Sequence, residues 1–405
     1  MAPTIFHSLG PKPGATNTAT VNLVTGNVSF PINLASLPGR NGLDFDLAIL
    51  YNSNVRQLVD TWNFEAPTGV LGLGWSFIQD QIVRNTRGTG STLDDTYFLA
   101  SGGTMLPLTR TGAGTDGDIY QSETYQFWKI RYVVAQELWV VTKEDGTRYY
   151  YGGGVHQDQA NSKTSTGDAI EWGIKWGNWI GPSKEAVGQE QFPVAWNLSC
   201  IQNTWREQIS FRYQQVRRSV GAGRLTYTQA CRVKEIVGAT GETIVCTYGN
   251  KAPEEYEKLH ASNSAVSDPY QDRLETAFLD RLEVYNEKGF LLSRVVFSYG
   301  SLGAGKLTKR LLKAISHTNG AGRPYAPSRS FEYYGDNAQE DKVSVTTTDN
   351  SKLFHLDSGA LYGAMKSVTT PEGAKIAYRY KEISISSAKR DFEIRRPESD
   401  NPGWL

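Results

Sequence analysis

The residue types able to do chemistry are few in this chain, and their spacing does not suit them to it. The five histidines, His7, His156, His260, His317 and His355, form no His-x-His or His-Glu-x-x-His set, the patterns that gather ligands around a metal. Cys200, Cys231 and Cys246 are too few and too far apart for a disulfide framework or a zinc site, so buried free thiols are expected. No Gly-x-Ser-x-Gly elbow presents a serine nucleophile. "GSLGAGKLT", residues 300–308, comes near a phosphate-binding loop. Leu307 holds the place where Ser or Thr would meet magnesium, and the stretch reads as a glycine-rich hairpin loop. Asp116 and Asp118 in "TDGD" lack calcium-loop spacing and read as turn residues. Glu254, Glu255 and Glu257 in "APEEYEKLH" read as a solvated face of a short helix. No catalytic residue, cofactor or metal is expected. One cluster has binding character: Trp172, Trp176 and Trp179 in "EWGIKWGNW". Exposed indoles stack on sugar rings, so a carbohydrate-binding or carbohydrate-cleaving β-protein is one reading. The other is that the three indoles pack their segment onto a sheet.

The elements that would position such residues are strands. The chain has 405 residues, with 42 Lys+Arg against 42 Asp+Glu. A balanced charge gives no whole-molecule pull toward nucleic acid or an anionic membrane. Forty glycines, 21 tyrosines and 15 phenylalanines favour strands and turns over helices. "DFDLAILYNS" alternates, with Phe45, Leu47, Ile49 and Tyr51 on one face. Hairpin turns are expected at residues 25–27, at 102–103 and at Glu144-Asp145-Gly146. In "GVLGLGWSF" three glycines surround Leu71, Leu73 and Trp75, a spacing that lets backbone approach backbone.

One hairpin phrase recurs. "LSCIQNTWREQISFRY" (198–213), "VKEIVGATGETIVCTY" (233–248) and "MKSVTTPEGAKIAYRY" (365–380) share it. Longer versions run over 279–299, with a turn at Asn286-Glu287-Lys288-Gly289, and over 311–334. Each unit ends near Tyr213, Tyr248, Tyr299, Tyr333 or Tyr380, usually with an aromatic two residues earlier, as at Phe211, Phe297, Phe331 and Tyr378. Residues two apart share a strand face, so each unit offers an aromatic platform to one side. Tyr149 and Tyr151 make the Asp-Gly hairpin a sixth member. Single hairpins are marginal in water, but hairpins aligned edge to edge share one core. The expected fold is mainly β: antiparallel hairpin repeats forming an extended curled sheet, with few helices. The expected organisation is a flexible lead-in over 1–20 and an N-terminal β region over 21–192 containing a Trp-rich insertion at about 152–192. Degenerate hairpin repeats follow over 193–382, and a polar tail over 383–405.

"VTGNVSFPINLASLPGRNGLDFDLAILYNSN" followed by "GVLGLGWSF" is similar to the entry segment of RHS/YD-repeat proteins, and "VAWNLSCIQNTWREQISFRYQQV" resembles their recurring hairpin. The resemblance runs from about Val21 to Glu382. It implies a strip of hairpins curling into a β-shell, as in toxin-complex and polymorphic toxins and in teneurin-type adhesion proteins. The shell is a container or scaffold and carries no chemistry itself. This sequence is short for a closing shell and shows neither the variable toxin domain nor the Asp-Pro cleavage motif of many members. The implied partner is therefore another protein chain that completes the shell or is carried by it, or a second copy meeting at an open strand edge. "MAPTIFHSLGPKPGATNTAT" has neither the basic nor the apolar part of a secretory signal, and no apolar run reaches membrane-span length. Synthesis in the cytoplasm is expected, with export by a non-classical route if the protein is toxin-related.

Overall fold

A computed structural model describes residues 19–21, 28–53, 55, 68–78, 80–86, 95–101, 104–115, 117–123, 127–153, 168–175, 190–220, 225–256, 274–303, 308–336, 343–348, 351–356 and 363–380. The expected turns at 25–27 and 102–103 and the polar tail at 383–405 lie outside these residues, as does the lead-in apart from its last two positions. Among the described residues there is no α-helix, only strands and two 3-10 turns, Val134–Gln136 and Pro253–Glu255.

Three groups of strands follow in chain order. The first is a four-stranded sheet of β1 (Thr20–Val21), β2 (Val28–Leu37), β3 (Phe45–Asn52) and β4 (Trp75–Phe77). The alternation read in β3 holds: Leu47, Ile49 and Tyr51 are buried and Asp46 is exposed.

The second group comprises β5 (Gln81–Asn85), β6 (Thr96–Ser101), β7 (Thr104–Gly114), β8 (Gly117–Ser122), β9 (Lys129–Val133), β10 (Leu138–Thr142), β11 (Arg148–Gly152), β12 (Ile170–Lys175) and β13 (Glu190–Gln202). β5 to β11 pair in sequence, β11 pairs with β13, and β13 pairs back onto β5. These eight antiparallel strands form a closed barrel, where an extended curled sheet was expected throughout. Closure depends on β13, which is 13 residues long. Along one side it meets β12 and then β11; along the other it meets β5 and then β14 (Gln208–Val220). The barrel interior is filled by Tyr97, Tyr120, Tyr132, Trp139 and Trp196, whose ring centres lie 4.6–6.4 Å apart in contacting pairs.

Leaving the barrel at β13, the third group matches the expected strip. It runs through β14, β15 (Leu225–Val237), β16 (Thr243–Asn250), β17 (Ala277–Tyr285), β18 (Leu291–Leu302), β19 (Lys309–Asn319) and β20 (Arg329–Tyr333). A separate hairpin, β21 (Val343–Thr348) with β22 (Ser351–Leu356), intervenes before β23 (Met365–Thr369) and β24 (Lys375–Ala377) complete it. Every pairing is antiparallel.

The four-stranded sheet and the segment before β4 lie against this strip. Leu73 N–H donates to the Arg310 carbonyl and Leu279 N–H to the Val70 carbonyl, both at 2.8 Å. A side chain at Gly72 would put its first carbon 2.7 Å from the Arg310 oxygen, so here glycine is what permits the backbone approach. One continuous apolar core joins sheet, barrel and strip.

Candidate functional site

The repeated feature of the strip is a tyrosine latch. Tyr213, Tyr248, Tyr299, Tyr333 and Tyr380 each donate a hydroxyl to a backbone carbonyl on the first strand of their own unit. The acceptors are Leu198, Val233 and Leu279 at 2.6 Å, Leu312 at 2.7 Å and Met365 at 3.1 Å. Each acceptor also sits opposite the closing tyrosine of the preceding unit: Tyr151, Tyr213, Tyr248, Tyr299 and Tyr333 in turn. Directly after each acceptor the register slips by one residue, at Ser199, Lys234, Asp280, Lys313 and Lys366. A bulge disrupts the ladder locally, and a buried carbonyl there needs a donor. The tyrosine supplies it from within its own unit, so one hydroxyl caps the bulge at each joint with the preceding unit. Burial holds the Tyr248, Tyr299 and Tyr333 hydroxyls well above the ordinary tyrosine range, which keeps them protonated as donors.

The entry segment joins the same series. Trp75 Nε1–H donates to the Tyr333 oxygen at 2.9 Å, and Met365 N–H donates to the Tyr51 oxygen at 2.7 Å. Beside it lies a buried charge network. Arg310 grips Glu255 through two bonds of 2.5 and 2.9 Å and lies 4.0 Å over the Phe278 ring. Lys251 donates to the Thr68 and Glu275 carbonyls, and burial pulls its ammonium down to about 8. Glu255 is therefore no part of a solvated face: it is 8% exposed and paired across 55 positions.

A cavity of about 310 Å³ opens where sheet, barrel and strip meet. Asp44, Asp46, Asp80, Lys143 and Tyr149 line it over an apolar floor that includes Phe211. The Lys143 ammonium lies 4.0 Å from the Tyr149 ring centre, and Asp80 accepts from the Ser101 hydroxyl at 2.9 Å. These contacts brace the junction and do not align a nucleophile with a base. No group of three metal-capable side chains occurs among the described residues.

Trp172 lies on β12, half-buried against the core, and its backbone N–H donates to the Thr228 hydroxyl at 3.0 Å. Trp176, Trp179, Leu307, Asp116, Glu257, His7, His156 and His260 lie outside the described residues. His355 is in β22. His317 in β19 meets the Tyr325 hydroxyl at 3.1 Å, and burial lowers its ring to about 4. Asp118 pairs with Arg110 at 2.8 Å. All three cysteines are free, and burial raises the Cys200 and Cys246 thiols to about 12, which leaves them unreactive near neutrality. The tyrosine acceptors were not foreseen, because a bulge has no sequence signature of its own.

No protein family matches the chain, and no curated protein matches it. Solved structures do. A chain of the crystal structure of TcdB2-TccC3-Cdc42 is similar at 14% identity and a TM-score of 0.50, over 80% of this chain and 16% of that one. The crystal structure of TcdB2-TccC3 gives 14% identity and a TM-score of 0.50, over 82% and 17%. The N-terminal domain of effector protein SpvB from Salmonella typhimurium strain LT2 is similar at 15% identity and a TM-score of 0.44, over 71% and 99%. What this chain shares with the two toxin-complex chains is a fold, and it spans 16–17% of their length.

Proposed function

We propose that this protein is a non-catalytic β-scaffold, an RHS-repeat shell segment related to toxin-encapsulating proteins. The observation that carries this reading is the latch repeated at five unit boundaries, a joint that lets a sheet grow by whole units without remodelling the earlier ones. The fold shared with toxin-complex chains supports it. On this reading two regions, 21–192 and 193–382, meet in β13, and the strip continues into another protein chain that completes the shell or is enclosed by it.

The test combines solution mass with cryo-electron microscopy of the purified chain. The expected result is a dimer or complex in which a further strand pairs onto β24. A monomer at all concentrations with a fully solvated β24 would overturn the reading, as would turnover of any substrate in a hydrolase screen.

A further inference from the structure

Six hairpin tips share one backbone design, and one of them adopts it without glycine. In tips 143–147, 203–207, 238–242, 286–290, 319–323 and 370–374 the first amide bonds the fifth carbonyl and the fourth amide bonds the first carbonyl. The fourth residue is left-handed in each: Gly146, Gly241, Gly289, Gly322 and Gly373 at φ of 77–97°, and Arg206 at 66°. A side chain is disfavoured in that region, so Arg206 stands where the other tips use glycine. Backbone held in a disfavoured region points toward function rather than stability. Next to it is Trp205, 70% exposed.

All six tips fall at the same end of the antiparallel strands and hence on one rim. Neighbouring tips touch: a side-chain carbon at Gly146 would meet Thr204, and one at Gly241 would meet Glu287. Eight large hydrophobics are exposed among the described residues, and five of them stand at or beside this rim: Phe127, Trp205, Phe290, Tyr325 and Ile376. Four exposed aromatics have an exposed basic residue within two positions: Phe127 with Lys129, Trp205 with Arg206, Phe290 with Lys288, and Tyr325 with Arg323. Successive hairpins step by two strands, about 10 Å, so Trp205 and Phe290 stand on separate tips, and Tyr325 leans on His317.

Three of the tips also hold most of their amides in bonds of their own. The side-chain oxygens of Asn203, Asn286 and Asn319 each accept two amides of their own turn, at 2.9–3.1 Å. Amides already bonded within a turn lower the cost of moving it from water into a drier boundary. Aromatic side chains with a wet end suit the membrane–water boundary. A fluid interface accepts each side chain separately, whereas a folded partner would need a matched pocket for each.

We propose that this rim is a membrane-contact edge. Trp205, Phe290 and Tyr325 enter the headgroup region of a phospholipid bilayer, with Arg206, Lys288 and Arg323 at the level of the phosphates. Glu207 and Glu287 offset the basic charge at two of the tips, so the aromatics drive the contact and salt matters little.

The test is co-sedimentation of the full chain with phosphatidylcholine vesicles, with brominated chains reporting tryptophan depth by quenching. Binding to the zwitterionic vesicles is expected. Trp205→Ala should weaken it roughly tenfold, the loss of one buried apolar side chain, and leave Tm unchanged. Arg206→Gly should weaken binding while raising Tm, a pairing that a merely structural residue would not give. The proposal fails if the chain does not sediment in lipid excess, or if Trp205→Ala/Phe290→Ser/Tyr325→Ser binds like the parent. It also fails if binding needs anionic lipid and disappears in salt, or if a complex buries these tips against protein.

Discussion

The barrel and the strip fill their interiors with the same aromatic residues and hold them in different ways. In the barrel eight strands return on themselves: Tyr132 stacks on Trp139, Trp196 meets both edge-on, and neither indole N–H donates a hydrogen bond among the described residues. In the strip nothing closes: β24 is registered with β23 alone among the described residues. Its tyrosines carry hydrogen bonds that the barrel's tryptophans lack. Closure fixes register for a ring all at once. An open sheet must fix register locally, and a bulge with a dedicated donor does that once per unit.

The largest effects should come from removing a ring in either region. Tyr333→Ala and Trp139→Ala should each cost about 3–5 kcal/mol by denaturant midpoint, as large-to-small core changes do. Tyr333→Phe separates the two modes, because it keeps the ring and strands both the Trp75 indole and the Leu312 carbonyl. A loss of about 1–3 kcal/mol is expected there. If the phenylalanine variant is as stable as the parent, packing alone holds the strip and the latch is incidental.

Next in size is the buried ion pair that joins β19 to the turn between β16 and β17. Arg310→Met leaves Glu255 buried and unpaired, at a cost of about 3 kcal/mol or more. Adding Glu255→Gln should restore most of it. A double variant as unstable as the single would mean that the Phe278 stack, rather than the ion pair, sets the loss.

The strip was legible in the sequence because its information is local. Period-two alternation marked the units that end at Tyr213, Tyr248, Tyr299, Tyr333 and Tyr380, and the turns at Asp145-Gly146 and at Asn286 to Gly289 closed where their residues demanded. The barrel was not legible. Its closing pairs, such as Trp196 with Ile82, join residues more than a hundred positions apart, and nothing local marks them. Glu255 misled for a related reason: a Glu-rich stretch looks solvated until a distant arginine is folded onto it. Trp172 was grouped with Trp176 and Trp179 by spacing, whereas its place is set by the pairing of Glu171 and Trp172 with β13 across a bulge.

The pH response should show the buried groups in turn. Lys251 titrates at about 8 in the fold and at 10.5 when unfolded. Between these values the unfolded chain holds the extra proton, so stability rises with pH, by at most about 1.4 kcal/mol per pH unit. Burial raises Tyr51, Tyr248, Tyr299 and Tyr333 above the ordinary 10.0. Their contribution is complete below that pH and is lost above it, as the unfolded chain ionises first. Urea midpoints should peak near pH 10 and then fall as tyrosinate absorbance appears. Lys251→Met should remove the rise and leave the fall. A parent protein without the rise would show that the ammonium is hydrated in the fold.

The smallest effect compares the middle of the strip with its last hairpin. Arg294 reaches Glu283 at 2.6 and 2.9 Å, with the glutamate only 7% exposed. Lys375 reaches Glu332 at 2.8 Å, with both side chains more than half exposed. Water screens the outer pair and its long side chains lose entropy in meeting, so Lys375→Ala should cost under about 0.5 kcal/mol. Arg294→Ala leaves a poorly hydrated carboxylate and should cost about 1–3 kcal/mol. Equal losses at the two positions would mean that the last hairpin is as well shielded in solution as the middle of the strip. A neighbour pairing onto β24 would produce that shielding.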